Sequence, residues 1–302
     1  MRWLENGSPE TVAAALRRLA PELGDLPVVD RERRAEDDPV WWSASAVVGE
    51  RFVAKFAWSE PAALRLAHEI AVLVELAGTP AAPHLPEVVA SSTDPVLLVT
   101  RLISGQSLFE VIDSLDRESV GRQLADFLVS LHRHQPAAQL PPASLQPAGT
   151  DAIRARFLSF ARPDQHSAIL RWCDWTDAVL AGDRPTVLVH GDLHGGNQIW
   201  DNGRLCAVLD FETAGQAEPE YDLRLFPGTG PGVELLNSTL HHYQRRTGRA
   251  LDVDRVLAWH LRTVLGDALW RSEAGVPLPD HRTAAEWVDD LAGRFAALRI
   301  SP

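Results

Sequence analysis

The sequence is poor in cysteine and has no long apolar segment. Two cysteines, Cys173 and Cys206, are too few for a disulfide framework or a cysteine-rich metal site. No apolar run approaches the ~20 residues that span a bilayer, and the first residues lack the basic-then-apolar pattern of a signal peptide. We therefore expect a reduced, cytoplasmic protein without a membrane segment.

An excess of positive charge is also absent. The formal net charge is −12, whereas nucleic acid requires a basic surface on its partner. An acidic cleft would instead raise the local concentration of a cationic ligand. The charge therefore argues against nucleic acid as a partner and hints at a cationic substrate. The sequence leaves the oligomeric state open between monomer and dimer.

Lysine is almost missing among the basic residues. Only one of the 29 Lys and Arg residues is a lysine, Lys55, and it lies in the strand-like run 51–58. An ammonium is a compact point charge and a guanidinium is a planar fork, so a site that needs the first does not simply accept the second. We interpret Lys55 as a candidate functional residue, with chance survival on an exposed strand as the alternative.

The chain changes from strand-rich to helix-rich after Gly105. Predicted strands cover 41–48, 51–58, 88–90, 96–102, 186–189, 198–200 and 205–210. Predicted helices cover 9–20, 59–76, 107–114, 116–133, 151–161, 165–181, 231–247, 252–273 and 282–298. We predict an α+β fold with two lobes and a cleft between them. The small β-rich N-terminal lobe would comprise residues 1–103, and the larger, mainly helical C-terminal lobe residues 104–302.

The most informative segment is His190–Asn197, with the sequence His-Gly-Asp-Leu-His-Gly-Gly-Asn. It follows an apolar strand, and its glycines permit a tight loop that presents Asp192 from the end of a rigid element. Asp192 can accept a proton or orient a hydroxyl. Asn197 and Asp210, the latter at the end of a second apolar strand, offer the oxygen ligands that magnesium prefers.

Three segments together resemble a known family. The segment His190–Asn197 resembles the catalytic loop of aminoglycoside phosphotransferases and their kinase-like relatives. Val208-Leu-Asp-Phe-Glu212 is similar to the metal-binding strand end of that family, and Pro219-Glu-Tyr-Asp-Leu223 to the acidic element that braces the loop. The resemblance implies a protein-kinase-like fold and transfer of the γ-phosphate of ATP to a hydroxyl of a small molecule, with an aminoglycoside-type antibiotic as the favoured acceptor.

The resemblance also implies a role for each matching residue. Asp192 would orient and deprotonate the acceptor hydroxyl. Asn197 and Asp210 would hold Mg²⁺ against the nucleotide. Lys55 would contact the α- and β-phosphates of ATP, and Glu69 would hold Lys55 by an ion pair.

Other parts of the nucleotide site match the family less closely. The stretch 42–46, expected over the phosphates, has no glycine, so Ser43 and Ser45 are candidate phosphate ligands, with an ordinary turn as the alternative. Glu75 is an alternative to Glu69 as the partner of Lys55. The interlobe hinge, whose backbone would bind adenine, would comprise Thr100, Arg101, Leu102 and Ile103.

The resemblance places the acceptor site in the C-terminal helices, where carboxylates would bind amino groups. Asp267, Glu273 and Trp270 are the candidates, and Asp267 stands out because its neighbours are apolar. Kinases of sugars, amino alcohols and other antibiotics share the same catalytic parts, so the sequence does not separate these acceptors.

Two other classes of protein remain open. His190, Asp192 and His194 alternate in a way that fits a zinc or iron site of a metallohydrolase, for which the pair His241–His242 is the only dense source of further ligands. A non-catalytic, nucleotide-binding relative of the kinases is the second alternative, although the expected catalytic residues are all present.

Overall fold

The computed structural model describes residues 2–4, 8–30, 44–137, 140–143, 148–228, 232–278 and 280–301. Its strands are β1 (Val28–Asp30), β2 (Ala44–Val48), β3 (Phe52–Phe56), β4 (Val88–Thr93), β5 (Val96–Arg101), β6 (Gln106–Ser107), β7 (Val187–Val189), β8 (Gln198–Asp201), β9 (Arg204–Val208) and β10 (Gly215–Ala217). Its helices are α1 (Pro9–Leu19), α2 (Glu60–Leu76), α3 (Leu108–Val111), α4 (Arg117–His132), α5 (Thr150–Arg156), α6 (His166–Leu180), α7 (Glu220–Leu223), α8 (Val233–Thr247), α9 (Val253–Ala274) and α10 (Ala284–Ala297).

The chain divides into two compact units. Unit 1 comprises Met1–Leu108, Pro136–Gln139 and Gly196–Ala214. Unit 2 comprises Phe109–Gln135, Leu140–Gly195 and Gly215–Pro302. Each unit is therefore assembled from three separate pieces of chain.

Unit 1 is built on a five-stranded antiparallel sheet with the order β1–β2–β3–β5–β4. Along β3 the side chains alternate, so that Phe52, Ala54 and Phe56 are buried in a core shared with α1. Val53 and Lys55 lie on the opposite face and are partly exposed. This period of two places Lys55 on the face of the sheet away from α1.

Helix α2 of unit 1 starts where its sequence provides a cap. The Ser59 hydroxyl accepts a hydrogen bond from the Ala62 N–H at 3.3 Å, and Pro61 occupies the first turn, where no N–H is needed. The buried face of α2 carries apolar side chains and one carboxylate, Glu69. Since a buried carboxylate is costly unless it is paired, Glu69 marks a polar site inside unit 1.

Unit 2 is mainly helical. Helix α4 packs along α8, and α9 packs against α6 and α10. Helix α9 starts after Asp252, whose carboxylate accepts from the Asp254 and Arg255 N–H groups, and ends at Gly275 in the left-handed conformation. The core among these helices includes Ile153, Trp172, Leu261, Leu265, Val288 and Phe295.

The predicted α+β class, strand-rich first and helical later, is confirmed. The differences lie in short elements: the helices predicted over 107–114 and 151–161 shorten to α3 and α5, each followed by one turn of tighter 3₁₀ helix. Strands β1, β6 and β10 have only two or three residues, too few for a periodic pattern. The domain boundary after Ile103 stays a prediction. In the described ranges, no helix combines the length and apolarity needed to cross a membrane.

Candidate active site

Lys55 is the centre of an ion-pair cluster in unit 1. Its Nζ lies 2.6 Å from Glu69 Oε2, 2.9 Å from Asp210 Oδ1 and 2.9 Å from Glu212 Oε1. Its Nζ donates hydrogen bonds to Glu69 and Asp210, and Glu212 completes the cluster as an ion-pair partner. Burial alone would lower the pKa of Lys55, but Asp210, Glu69 and Glu212 outweigh burial and raise that pKa well above its usual value.

The structure brings Glu69, and not Glu75, to Lys55. The second carboxylate oxygen of Glu69 accepts the Phe211 N–H at 3.2 Å, which ties α2 to the residues after β9. Burial raises the pKa of Glu69 to about 7, although Lys55 acts in the opposite direction. Glu75 lies elsewhere in unit 1, where its Oε1 accepts the Ala137 N–H at 3.0 Å.

Asp210 projects from a strained turn at the end of β9. Its φ is +69°, a left-handed conformation that few residues other than glycine adopt, and its side chain is 42% exposed. Strained backbone of this kind clusters at functional sites. The Asn197 carbonyl accepts the Leu209 N–H at 2.8 Å, so the backbone of Asn197 lies beside the strand that leads to Asp210.

Glu212 belongs to the same cluster, a contribution not predicted from the sequence. Its Oε2 accepts from Arg65 Nε at 3.2 Å while its Oε1 contacts Lys55. One oxygen from each of Glu69, Asp210 and Glu212 lies within 4.8 Å of the other two, an arrangement that could hold a metal ion. Carboxylate oxygens suit a hard cation such as Mg²⁺. The signal in the sequence was a second acidic residue, two positions after Asp210 in the segment Val208–Glu212.

In unit 2, the loop after β7 carries Asp192. His190 is fully buried, and its Nδ1 accepts the Asp192 N–H at 3.1 Å. Gly191 has φ +84°, which favours glycine at this position. The His194 ring stacks on the exposed Phe109 ring at 5.9 Å, and its Nε2 lies 3.7 Å from Asp192 Oδ2.

Asp222 holds this loop by hydrogen bonds to its backbone. Its carboxylate is fully buried and accepts the N–H groups of His190 and Gly191, both at 2.9 Å. It also lies 3.1 Å from His132 Nε2, and His132 Nδ1 is 3.1 Å from the Tyr243 hydroxyl. Burial would raise the pKa of Asp222, but the hydrogen bond from His132 and the nearby histidine rings lower it. Asp222 therefore acts as an ionised acceptor for the loop backbone.

The remaining nucleotide-site candidates belong to unit 1. Ser45 pairs with Lys55 across β2 and β3, and Ser43 lies outside the described residues. Thr100 and Arg101 end β5, and the Arg101 side chain is bonded to the exposed Glu87 at 2.7 and 3.1 Å. The Leu102 N–H donates to the Arg51 carbonyl at 2.8 Å, and Ile103 follows it without regular structure. The adenine-binding and phosphate-binding roles of these residues stay predictions.

The acceptor-site candidates already have partners in unit 2. Asp267 accepts from Arg271 Nε at 3.0 Å, and both Glu273 oxygens lie 3.0 Å from Arg156 Nη1. Burial raises the pKa of Asp267, partly offset by Arg271. Trp270 is 44% exposed, with the Arg271 guanidinium 5.3 Å from its ring. The roles of Asp267, Glu273 and Trp270 in acceptor binding stay predictions.

The histidines give no support to a metallohydrolase. Within the described ranges, the one group of three or more candidate ligands contains carboxylates only. His190 Nδ1 is engaged by the Asp192 N–H. His242 Nε2 contacts Glu118 Oε1 at 2.7 Å.

Comparison with known proteins identifies the family and the fold. The model of the phosphotransferase enzyme family matches residues 32–275. The GDP complex of aminoglycoside 2'-phosphotransferase-IIIa has a similar fold, with a TM-score of 0.70 and 15% identity over 97% of this chain and 100% of that one. The gentamicin complex of APH(2")-IIa has a TM-score of 0.65 and 18% identity, over 98% of this chain and 99% of that one. A mutant of APH(4)-Ia in complex with ADP and hygromycin B has a TM-score of 0.65 and 17% identity, over 95% of this chain and 98% of that one. No curated protein sequence matches the chain. The predicted kinase-like fold is confirmed.

Proposed function

The chain belongs to the phosphotransferase enzyme family, and from this premise we propose that it transfers the γ-phosphate of ATP to a hydroxyl of a small molecule. The observation that carries the proposal is the contact of one lysine, Lys55, with three carboxylates that include Asp210 at a strained strand end. Such a cluster supplies both charges that phosphoryl transfer requires, an ammonium for the phosphates and carboxylates for a metal.

In the proposed reaction, the acceptor oxygen attacks the γ-phosphorus and the bond from that phosphorus to the departing ADP oxygen breaks. The Asp192 carboxylate orients the acceptor hydroxyl and takes its proton. Lys55 binds the α- and β-phosphates, and Glu69 and Glu212 keep its ammonium in place. Asn197 and Asp210 would hold Mg²⁺, which supplies neutralisation of phosphate charge when it is bound.

For the acceptor we propose first an aminoglycoside-type antibiotic, whose phosphorylation would confer resistance. The support is the fold shared with three aminoglycoside phosphotransferases. A sugar, an amino alcohol or another antibiotic is the second candidate. Asp267 and Glu273 are paired with arginines, so they are less available to the amino groups of an aminoglycoside. This pairing favours the second candidate.

We further propose that the protein works in the cytoplasm, as a monomer or a dimer, on a small molecule. The net charge of −12 supports the expectation that nucleic acid is not its partner.

A phosphorylation screen tests the proposed function. Purified protein is incubated with Mg²⁺ and either ATP or GTP, together with aminoglycosides, other antibiotics, sugars and amino alcohols. We expect nucleoside diphosphate release with at least one compound and a product that carries one added phosphoryl group. The control is Asp192→Ala, which should bind nucleotide but turn over at least about 10²-fold more slowly. Nucleotide binding with no phosphorylated compound in any class would instead support the non-catalytic alternative.

A further inference from the structure

Arg224 is a buried arginine to which the structure gives no carboxylate partner. It is 2% exposed, Nη1 donates to the Tyr221 carbonyl at 3.1 Å, and Nη2 donates to the Gly191 carbonyl at 2.7 Å. The guanidinium carbon lies 3.9 Å from the centre of the Tyr221 ring. Across the part of the chain that the structure describes, no acidic side chain forms an ion pair with Arg224, and its Nε has no hydrogen-bond partner.

The stability of the fold does not explain why an arginine occupies this position. Burial of a charge without a counter-charge is costly, and an apolar side chain of similar volume is often as stable or more stable. Arg255 in the same unit shows the usual solution: it is 4% exposed and its Nε lies 2.7 Å from Glu218 Oε2. What distinguishes Arg224 is its contact with the loop that carries Asp192.

Arg224 and Asp222 hold the same peptide segment from two sides. Asp222 accepts the N–H groups of His190 and Gly191, and Arg224 donates to the Gly191 carbonyl. That carbonyl belongs to the peptide bond of Asp192, whose own N–H donates to His190 Nδ1. Both polar groups of the Gly191–Asp192 peptide, and the N–H groups of His190 and Gly191, are therefore engaged.

A second layer of contacts holds Arg224. Its backbone carbonyl lies 2.6 Å from His260 Nδ1, so this nitrogen is the donor, and His260 Nε2 accepts from Arg294 Nη1 at 2.9 Å. Burial lowers the pKa of His260 to about 3, as expected for a neutral ring between two arginines. Helices α9 and α10 thus reach the loop through three residues, Arg294, His260 and Arg224.

We propose that Arg224 is a positioning residue that, together with Asp222, fixes the Gly191–Asp192 peptide and so places the Asp192 carboxylate for the acceptor. The assignment of Asp192 as the acceptor-activating group rests on the proposed function, whereas the hold on Gly191 does not. Displacement of a reacting group by 1 Å costs on the order of 10²-fold in rate. Arg224 therefore acts on turnover, not on nucleotide binding.

The test compares Arg224→Met with a matched control, Arg133→Met. Arg133 is exposed, and its Nη2 also donates to a backbone carbonyl, that of Arg246, at 2.9 Å. Both changes therefore remove a guanidinium and a hydrogen bond to a backbone carbonyl; Arg224→Met also removes the bond to the Tyr221 carbonyl. Two measurements are made on each purified full-length variant: kcat and KM for nucleotide with the best acceptor from the screen, and amide hydrogen exchange of the peptide 189–195.

For Arg224→Met we expect a loss of about 10²-fold in kcat with an unchanged KM for nucleotide. Amide hydrogen exchange in residues 189–195 should become about tenfold faster, because the loop loses a hydrogen bond that holds it. Arg133→Met should match the wild type in both measurements. Arg224→Lys, which keeps the charge and one donor for Gly191, should recover part of both effects and replaces the methionine variant if that variant does not fold.

Wild-type kcat in Arg224→Met, or wild-type exchange in 189–195, would overturn the proposal. An equal fall in kcat and rise in KM would also overturn it, because that result indicates general disorder. If the wild-type protein phosphorylates no compound, the proposed function fails, but the exchange measurement still decides whether Arg224 holds the loop.

Discussion

The Lys55 ammonium contacts three carboxylates at once, and a single nitrogen with this set of contacts requires lysine. A guanidinium in its place is planar and longer, and cannot bring one charged nitrogen close to Glu69, Asp210 and Glu212 together. The ammonium is also mostly buried, with 21% of the Lys55 side chain exposed, so additional atoms must displace a neighbour. The single lysine of the sequence is thus explained by its contacts.

We expect Lys55→Arg to raise KM for nucleotide by roughly tenfold to a hundredfold, since a hydrogen bond to a charged group contributes roughly 1.5–3 kcal/mol. Steady-state kinetics with varied ATP measure the effect. The substitution Arg2→Lys, at an exposed arginine paired with Asp94, is the control and should leave KM unchanged. If Lys55→Arg has wild-type ATP kinetics, the lone lysine is incidental.

Asp192 should affect the chemical step alone. We expect Asp192→Ala to lower kcat by about 10²–10⁴-fold, the usual contribution of a general base, with nucleotide affinity unchanged. Kinetics with a saturating acceptor and nucleotide titration calorimetry measure the two quantities. Unaltered turnover in this variant would remove Asp192 from the mechanism.

At the scale of elements, α2 is joined to the segment after β9 by three successive contacts. Arg65 binds Glu212, the His68 Nε2 lies 2.7 Å from the Ala214 carbonyl, and Glu69 accepts the Phe211 N–H. These contacts lie on neighbouring turns of one helix face. The position of α2 and the position of the carboxylates around Lys55 are therefore set together.

We expect Glu212→Gln to lower the free energy of unfolding by about 1–3 kcal/mol, because the buried Arg65 and Lys55 contacts lose a charge. Glu87→Gln removes an exposed partner of Arg101 and should leave the free energy of unfolding nearly unchanged. Urea denaturation of both variants measures the difference. Equal stability of the two variants would show that Glu212 contributes no more than a surface ion pair.

The contact between α9 and α10 predicts a pH dependence of stability. Burial and the neighbouring Arg294 and Arg224 lower the pKa of His260 to about 3. In the unfolded chain the same ring is protonated below about pH 6.5. Between these pH values only the unfolded chain binds the proton. This contribution to stability is present above pH ~6.5 and is lost as the pH falls toward 3, at about 1.4 kcal/mol per unit.

His260→Gln tests this dependence, since an amide can still donate to the Arg224 carbonyl and accept from Arg294. Between pH 7 and pH 5 the wild type should lose about 2 kcal/mol more than the variant in urea denaturation. The same loss in both proteins would show that His260 does not titrate on unfolding.

For the whole molecule, nucleotide should stabilise the fold in a metal-dependent way. At 100 times its Kd, a ligand that binds only the folded state adds about 2.7 kcal/mol to stability. We expect Mg²⁺ to increase the stabilisation by ATP, and Asp210→Asn to remove the increment from Mg²⁺ while part of the ATP effect remains. Thermal unfolding with ATP, with and without EDTA, measures both. An increment that survives in Asp210→Asn would place the metal elsewhere.

The sequence predicted those parts of the molecule that a local pattern encodes. Asp192 and Asp210 follow apolar strands within short motifs, and their place at strand ends was predictable. Arg65 and Glu212 are 147 residues apart, and no local pattern indicates such a contact. Helical spacing likewise indicated that Glu273 lies on a helix, but not that Arg156, 117 residues earlier, would bind it. The side-chain partners required the tertiary structure.

The three-piece assembly of unit 1 has a consequence for biosynthesis. Lys55 leaves the ribosome 155 residues before Asp210, its ion-pair partner. At ~5–20 residues per second, this interval lasts roughly 10–30 s. During that time the nascent sheet holds a lysine whose counter-charges from the end of β9 do not yet exist, with only Glu69 of α2 already synthesised. The cluster around Lys55 is therefore completed late in translation, after most of the chain has been made.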